Sequence, residues 1–325
     1  MINDEFDICY SINIFLSNDY EKYSKKLQFG HLKSNRWFCQ KCNFNSSRER
    51  KIENHKKFHF INDNIDIFKE LIDNIKKFNK KYKIIIILNG CRDFDGNLKL
   101  NNLVSSYNNI IYKNNSSKRF WGHYSILGGY IESYKFMEYK KINYKYLILL
   151  TTNSYLINQI NLENLDFNKE YIPLKKQNSH FIQMYERNKD IYNFFKKKNF
   201  HEYKIRISHE GVCYPKKNID KIFNFIFENF HNKKDFRRRS DFNNSYDFIA
   251  EETLLPLCEY YFFKKIFPRI INVKCLQEKD FSITNINKDV KEMILITINQ
   301  KDKFGIKPIV RMIDHPDRKF VRNLK

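Results

Sequence analysis

Apolar residues fall in two rhythms that alternate along the chain. Residues 8–16 (Ile-Cys-Tyr-Ser-Ile-Asn-Ile-Phe-Leu) read as a strand, and a polar, charge-rich stretch follows to about residue 60. From an N-cap at Asn62 or Asp63, Ile65, Phe68, Ile72, Ile75 and Phe78 recur at helical spacing. Lys76, Lys77, Lys80 and Lys81 close that helix, where cations suit its dipole. Residues 84–88 (Ile-Ile-Ile-Ile-Leu) are apolar on both faces, as expected of a central strand in a parallel sheet covered by helices. The rhythm then repeats. Ile126, Tyr130, Tyr134 and Met137 predict a helix, and residues 146–150 (Tyr-Leu-Ile-Leu-Leu) a second buried strand. Residues 203–207 read as a short strand and residues 293–298 as a late one. Between them, Ile219, Ile222, Phe223, Ile226 and Phe230 form a helical stripe, and Leu254, Leu255, Cys258, Tyr261 and Phe262 form another. The alternation predicts an α/β protein, a three-layer α/β/α sandwich around a mostly parallel sheet. No repeat and no Pro/Gly linker interrupts the later part. The expected organisation is a first strand and connection in 1–30, a small insertion in 31–60, and one α/β domain over 61–325.

Composition narrows the class. Aromatic residues are 16% of the 325 positions, too many for a disordered polyelectrolyte, and eight Gly exclude a collagen-like or Gly/Ser-linker chain. No apolar run approaches the ~18 residues of a membrane-spanning helix. Residues 1–5 (Met-Ile-Asn-Asp-Glu) are acidic, unlike the basic start of a secretory signal. The expectation is a cytoplasmic protein of a bacterium or a virus-infected host, not a secreted one. The seven cysteines, an odd and mostly scattered number, read as reduced thiols. The formal net charge of +22 is read either as a solvated Lys-rich surface or as the mark of a phosphate-bearing partner. Nucleic acid, a nucleotide-sugar and peripheral contact with a membrane surface all satisfy it.

The sharpest local pattern is Cys39-x2-Cys42-x12-His55-x3-His59, the ligand spacing of a two-cysteine, two-histidine zinc finger. Two thiolates and two imidazoles suit tetrahedral Zn²⁺, and histidines one helical turn apart close the tetrahedron. Trp37 and Ile52 stand where such a finger places core residues, whereas Ser46 occupies the third core position and the aromatic is Phe44. Arg48 and Arg50 are positioned to touch phosphates. A lone finger beside an α/β domain is read first as a structural zinc staple or a protein-contact module, and second as a nucleic-acid reader.

Nucleotide-binding signatures are absent: there is no G-x-x-x-x-G-K-[ST], and Gly128-Gly129 is not part of a G-x-G-x-x-G. Asp93-Phe94-Asp95 follows a buried strand, as a solvated turn or as two carboxylates for a nucleotide-bound Mn²⁺ or Mg²⁺. More informative is the order Trp121-Gly122-x2-Ser125, a helix, the strand at 146–150, and then Thr151-Thr152-Asn153-Ser154-Tyr155. Residues 207–211 (Ile-Ser-His-Glu-Gly) precede another helix, and residues 250–256 (Ala-Glu-Glu-Thr-Leu-Leu-Pro) open a further one. These segments, in this order, resemble the core-2/I-branching and xylosyltransferase-like glycosyltransferases over roughly residues 60–325. Asn153-Ser154 replaces that family's acidic residue, and the tryptophan of its segment near 208 is missing.

The resemblance implies a GT-A-like fold and inverting transfer of a sugar from a nucleotide donor, most readily a UDP-sugar. The acceptor would be a hydroxyl on a glycan, lipid or protein. It places Glu252 as general base with Glu251 beside it, and His209 and Glu210 on the acceptor side. Asn89, Asp93, Asp95, Trp121, Gly122, Ser125 and Asn153 would line the donor cleft. Arg311, Arg318 and Lys319 would neutralise the diphosphate, so that no catalytic metal is required. The chemistry is coherent in itself: inversion needs one carboxylate to take the acceptor's proton, and adjacent anions raise each other's pKa. Two other functions stay open from the residues alone. One is a zinc-finger nucleic-acid-binding protein, the other a catalytically degenerate glycosyltransferase fold acting as a binding subunit.

Overall fold

A computed structural model describes residues 5–14, 29–32, 36–39, 45–46, 49–90, 94, 96–113, 125–170, 189–200, 205, 207–231, 250–273, 286, 288–307 and 316–324. In chain order the elements are β1 (Glu5–Asn13), β2 (Phe29–Leu32), β3 (Arg36–Cys39), β4 (Asn45–Ser46), α1 (Glu49–Lys77), β5 (Ile84–Asn89), α2 (Leu98–Ser105), β6 (Ile110–Lys113) and α3 (Ser125–Tyr139). They continue with β7 (Asn143–Thr151), β8 (Tyr155–Leu156), α4 (Lys189–Lys197), β9 (Cys213–Pro215), α5 (Lys216–Asn229), α6 (Ala250–Phe263), β10 (Ile271–Val273), α7 (Lys288–Ile298), β11 (Gly305–Lys307) and α8 (Pro316–Arg322).

The main sheet has the order β6-β5-β1-β7-β9. Its first four strands are parallel, and β9 runs antiparallel to β7. β1 sits in the middle, in register with both neighbours: Ile8 faces Ile84 on one side and Tyr146 on the other. Successive residues of a strand point to opposite faces, and β1 demonstrates both layers at once. The Tyr10 hydroxyl donates to Asn79 Oδ1 just after α1 (2.7 Å), while Cys9 Sγ meets Met137 Sδ of α3 (3.1 Å). An apolar strand buried on both faces is therefore explained: the fold is an α/β sandwich with a mostly parallel sheet, as the pattern predicts. Aromatic residues close the α3 side further along. Phe194 and Phe195 of α4, Phe200, Phe225 of α5, Phe230 and Tyr261 of α6 pack in one cluster, mostly edge-on, with Phe225 and Tyr261 stacked.

The strand order fixes a switch point. From β1 the chain proceeds through α1 and α2 to β5 and β6 on one side, then returns through α3 to β7 on the other. Right-handed crossovers of opposite sense place those helices on opposite faces. The order reverses between β1 and β7, and outside the carboxyl ends of strands at such a reversal open α/β sheets bind ligands.

Three elements depart from the expected pattern. α1 begins at Glu49, not at Asn62 or Asp63, so the polar stretch before residue 60 forms the first half of one long helix. That helix runs through the expected boundary at 60–61, and Ile52 in its polar half is buried. Residues 293–298 are helical, within α7, and not a strand. Val290, Met293, Ile294 and Thr297 are buried at helical spacing, whereas Leu295, Ile296 and Ile298 are exposed. Ile205 and Ile207 have no regular structure, and the remaining residues of the strand expected at 203–207 lie outside the described set.

Two small sheets were not anticipated. β10 and β11 pair in parallel across α7, and β8 joins β11 antiparallel, enclosing Tyr155, Val290, Met293, Ile294, Ile306 and Val321. β2, β3 and β4 form an antiparallel sheet directly before α1.

Candidate active site

Gly211 anchors the loop that carries the site. It adopts φ +70°, and a Cβ there would lie 2.3 Å from Ile271 Cγ1 and 2.8 Å from the Ile271 backbone nitrogen. Its N–H donates to the Leu149 carbonyl of β7 (2.7 Å), and its own carbonyl accepts from Ile270 N–H (2.8 Å). The residues just before it, Ser208, His209 and Glu210, are thereby held past Leu149, at the carboxyl edge of the sheet.

Pro256 aligns a second element with this loop. It lies inside α6, and having no N–H it cannot bond the Glu252 carbonyl four residues earlier. The Ile207 N–H takes that carbonyl instead, at 3.0 Å. The start of α6, with Glu251 and Glu252 in its first turn, is thus tied to the loop bearing His209 and Glu210. A third tie comes from Arg269. It forms a buried, bidentate ion pair with Glu259 of α6 (2.9 and 3.0 Å), and its Nε donates to the Ser208 carbonyl (3.1 Å). Glu259 also accepts from the Tyr214 hydroxyl (2.6 Å) and from Phe267 N–H (2.8 Å), so its charge is fully engaged.

The product of these ties is a cluster. Ligand-type atoms of His209, Glu210 and Glu252 all lie within 4.8 Å of one another. His209 and Glu210 are each 2% exposed, and Glu252 is half-buried. Lys307, the last residue of β11, donates to Glu210 Oε1, and the Ser208 hydroxyl donates to Oε2. Neither ring nitrogen of His209 has a hydrogen-bond partner among the described residues, and Nδ1 stands 3.5 Å from Glu210 Oε2. Burial, followed by the charges of Lys307 and Arg269, holds the His209 imidazole well below its usual pKa, so it is neutral at physiological pH. The Tyr130 ring of α3 packs 5.6 Å from His209, and its hydroxyl donates to the Leu150 carbonyl (2.9 Å). A neutral imidazole, two carboxylates and an ammonium thus face one another beside the switch point. Such a set can accept a proton, bind a cation or orient a hydroxyl.

The residues singled out from sequence divide into three groups. Glu252, His209 and Glu210, drawn from segments forty residues apart, come together, with buried Glu251 next in the chain. Asn89 lies on the same sheet edge but is buried, donating to Asn13 Oδ1 (2.5 Å) while Asn13 donates to the Ile126 carbonyl (2.8 Å). Asn153 accepts from the Thr151 hydroxyl (2.6 Å) at the end of β7. Arg318 is fully buried, its guanidinium held by Glu70 of α1 (3.1 Å) and the Thr152 carbonyl (3.4 Å). That placement makes it a tie between α8, α1 and the end of β7. Lys319 is exposed on α8.

The third group lies outside the described residues: Asp93, Asp95, Trp121, Gly122, Arg311 and Cys42. Ser125 is described only as the first residue of α3, Cys39 only as the last of β3, and His55 only as a position on α1; His59 is half-buried on the same helix. Sequence reasoning did not single out Lys307, Arg269, Glu259 or Tyr130. The Pro256 gap four residues after Glu252 is a local signal, a carbonyl in search of a donor, but it points to Ile207 and to none of these four.

No protein-family model matches this chain, and no curated protein matches it. Among the described residues no helix is long and apolar enough to cross a membrane.

Proposed function

We propose that the chain is an inverting glycosyltransferase of GT-A-like fold that uses a nucleotide-sugar donor, with Glu252 as general base. One observation carries the reading: Glu252 meets His209 and Glu210 at the carboxyl edge of the sheet, beside the switch point. The strand order, four parallel strands flanked by one antiparallel strand, supports the same reading. In the reaction the acceptor oxygen attacks the anomeric carbon, and the bond from that carbon to the phosphate oxygen breaks. The acceptor's proton passes to Glu252, and the electron pair leaves with the nucleoside diphosphate. Lys307 and Ser208 each donate to Glu210 and hold it fixed, which suits it to orient the acceptor hydroxyl.

The test begins with thermal-shift screening of the full chain against nucleotide-sugars, with and without a divalent cation. A donor that stabilises the protein is then assayed for transfer. Glu252→Gln is expected to lower transfer by about 10²–10⁴-fold while donor stabilisation persists. Transfer at the parental rate would overturn the assignment of the base. Donor binding without transfer in the parent chain would instead favour a binding subunit.

A second observation supports a zinc site. β3 ends at Cys39, β4 follows, and α1 then carries His55 and His59 one turn apart, an order compatible with the ligand spacing. Zn²⁺ held by Cys39, Cys42, His55 and His59 would staple the small β2-β3-β4 sheet to the amino end of α1. Purified protein is expected to contain zinc, and Cys39→Ser to release it. Duplex DNA binding that weakens steeply with salt and is lost in Cys39→Ser would make the finger a nucleic-acid contact instead.

A further inference from the structure

We propose that His209, Glu210 and Glu252 form a binding site for a divalent first-row cation such as Mn²⁺, with Lys307 as the built-in counter-ion that the cation displaces. The inference stands apart from sugar transfer, since a cation would be held here whether or not a sugar is moved.

The donor set has the right chemistry. One imidazole and two carboxylates suit Mn²⁺, Fe²⁺ or Zn²⁺, and the absence of thiolate separates this site from the finger. The spacing is close to what such an ion needs. Three ligands of one ion with bonds of about 2.0–2.2 Å stand roughly 3–4 Å from one another; the three ligand atoms lie within 4.8 Å of one another, and His209 Nδ1 already stands 3.5 Å from Glu210 Oε2. Closing a gap of up to about 1.5 Å completes the set, and Glu252, half-buried in the first turn of α6, would supply it by a rotamer change.

His209 provides an independent pointer. An imidazole buried to 2% exposure, with neither nitrogen hydrogen-bonded among the described residues, is a costly arrangement in the absence of a ligand. The Tyr130 ring packs against it, and it stands beside the two carboxylates. A metal ion is the partner that both completes the imidazole and compensates two anions. Arg269 does not compete for that place, because Glu259 and the Ser208 carbonyl occupy its guanidinium. Lys307 does compete, through Glu210. A cation and an acceptor's proton draw on the same Glu252 lone pairs, so occupancy would decide whether Glu252 is available as a base.

The experiment uses the full chain, stripped with a chelator and titrated with Mn²⁺, free Mn²⁺ being counted by its EPR signal. One equivalent is expected to bind, with affinity lowered at least about tenfold in His209→Gln and Glu210→Gln. Cys39→Ser is expected to bind as the parent does, since a thiolate-rich finger does not favour Mn²⁺. Lys307→Met is expected to bind more tightly, a response that a purely structural cluster would not give. Far-UV circular dichroism confirms that each variant is folded. Where His209→Gln does not fold, Glu210→Gln and Lys307→Met carry the test. Absence of saturable Mn²⁺ binding, or equal affinity in the parent and the folded ligand variants, would overturn the site. Neither result depends on a donor or on transfer, so its failure is distinguishable from failure of the glycosyltransferase reading.

Discussion

At the scale of the residue, Gly211 combines a positive φ with a filled space for any Cβ, alone among the described glycines. Its φ of +70° disfavours any side chain, and the space where a Cβ would stand is already filled by Ile271, backbone included. Gly211→Ala is expected to destabilise the fold by about 2–5 kcal/mol, combining the left-handed penalty with overpacking. A denaturant midpoint measures this. Trimming Ile271 to Ala should recover only part of the loss, because the contact with the Ile271 backbone nitrogen at 2.8 Å remains. An unchanged midpoint in Gly211→Ala would mean the loop can leave the sheet edge without cost. The segments holding Glu251, Glu252, His209 and Glu210 draw attention through their resemblance to a known family, and the fold then brings Glu252, His209 and Glu210 together. Lys307 and Arg269 were not readable, because in a chain this rich in basic residues nothing local distinguishes a buried counter-ion from a solvated one.

At the scale of the element, the decisive feature is a missing hydrogen bond. Pro256 leaves the Glu252 carbonyl without its helical donor, and the Ile207 N–H fills the place. Pro256→Ala restores a competing donor inside α6. The expected outcome is a helix of equal or greater stability and a loop that opens more often. Hydrogen exchange at the Ile207 amide should speed up at least several-fold, while the melting temperature holds or rises. Slower or unchanged exchange would show that the loop is held chiefly by Gly211 and Arg269. Element type was legible where burial is two-sided or strictly periodic, as in β5, β7 and α5. It failed in α7, whose run Met-Ile-Leu-Ile-Thr-Ile satisfies a strand by composition although only one helical face is covered. It also failed in the first half of α1, where the polar residues show no apolar stripe by which to recognise a helix.

At the scale of the whole molecule, α1 is the common axis. Its amino end follows the small β2-β3-β4 sheet, its middle covers the main sheet, and Glu70 grips the C-terminal helix α8 through Arg318 and Arg322 (3.1 and 2.6 Å). Asn74 of the same helix clamps β8 by donating to the Leu156 carbonyl and accepting from its N–H, both at 2.8 Å. Long-range closure of this kind has no local signature, which is why Arg318 reads from sequence as a phosphate contact although it is buried against a carboxylate. Removing one partner of such a pair strands the other charge, at a cost of about 3–5 kcal/mol. Glu70→Ala is therefore expected to lower stability by that order, and Arg318→Met by less, because Arg322 still pairs with Glu70. The double substitution Glu70→Leu with Arg318→Met should be less destabilised than the sum, since neither charge is left buried alone. The double variant also separates two roles for Arg318. If the arginine acts as a tie, the folded double variant keeps its affinity for whichever donor stabilises the parent. If donor stabilisation disappears in a double variant that still melts cooperatively, the guanidinium reaches the diphosphate after all, and α8 belongs to the site and not only to its support.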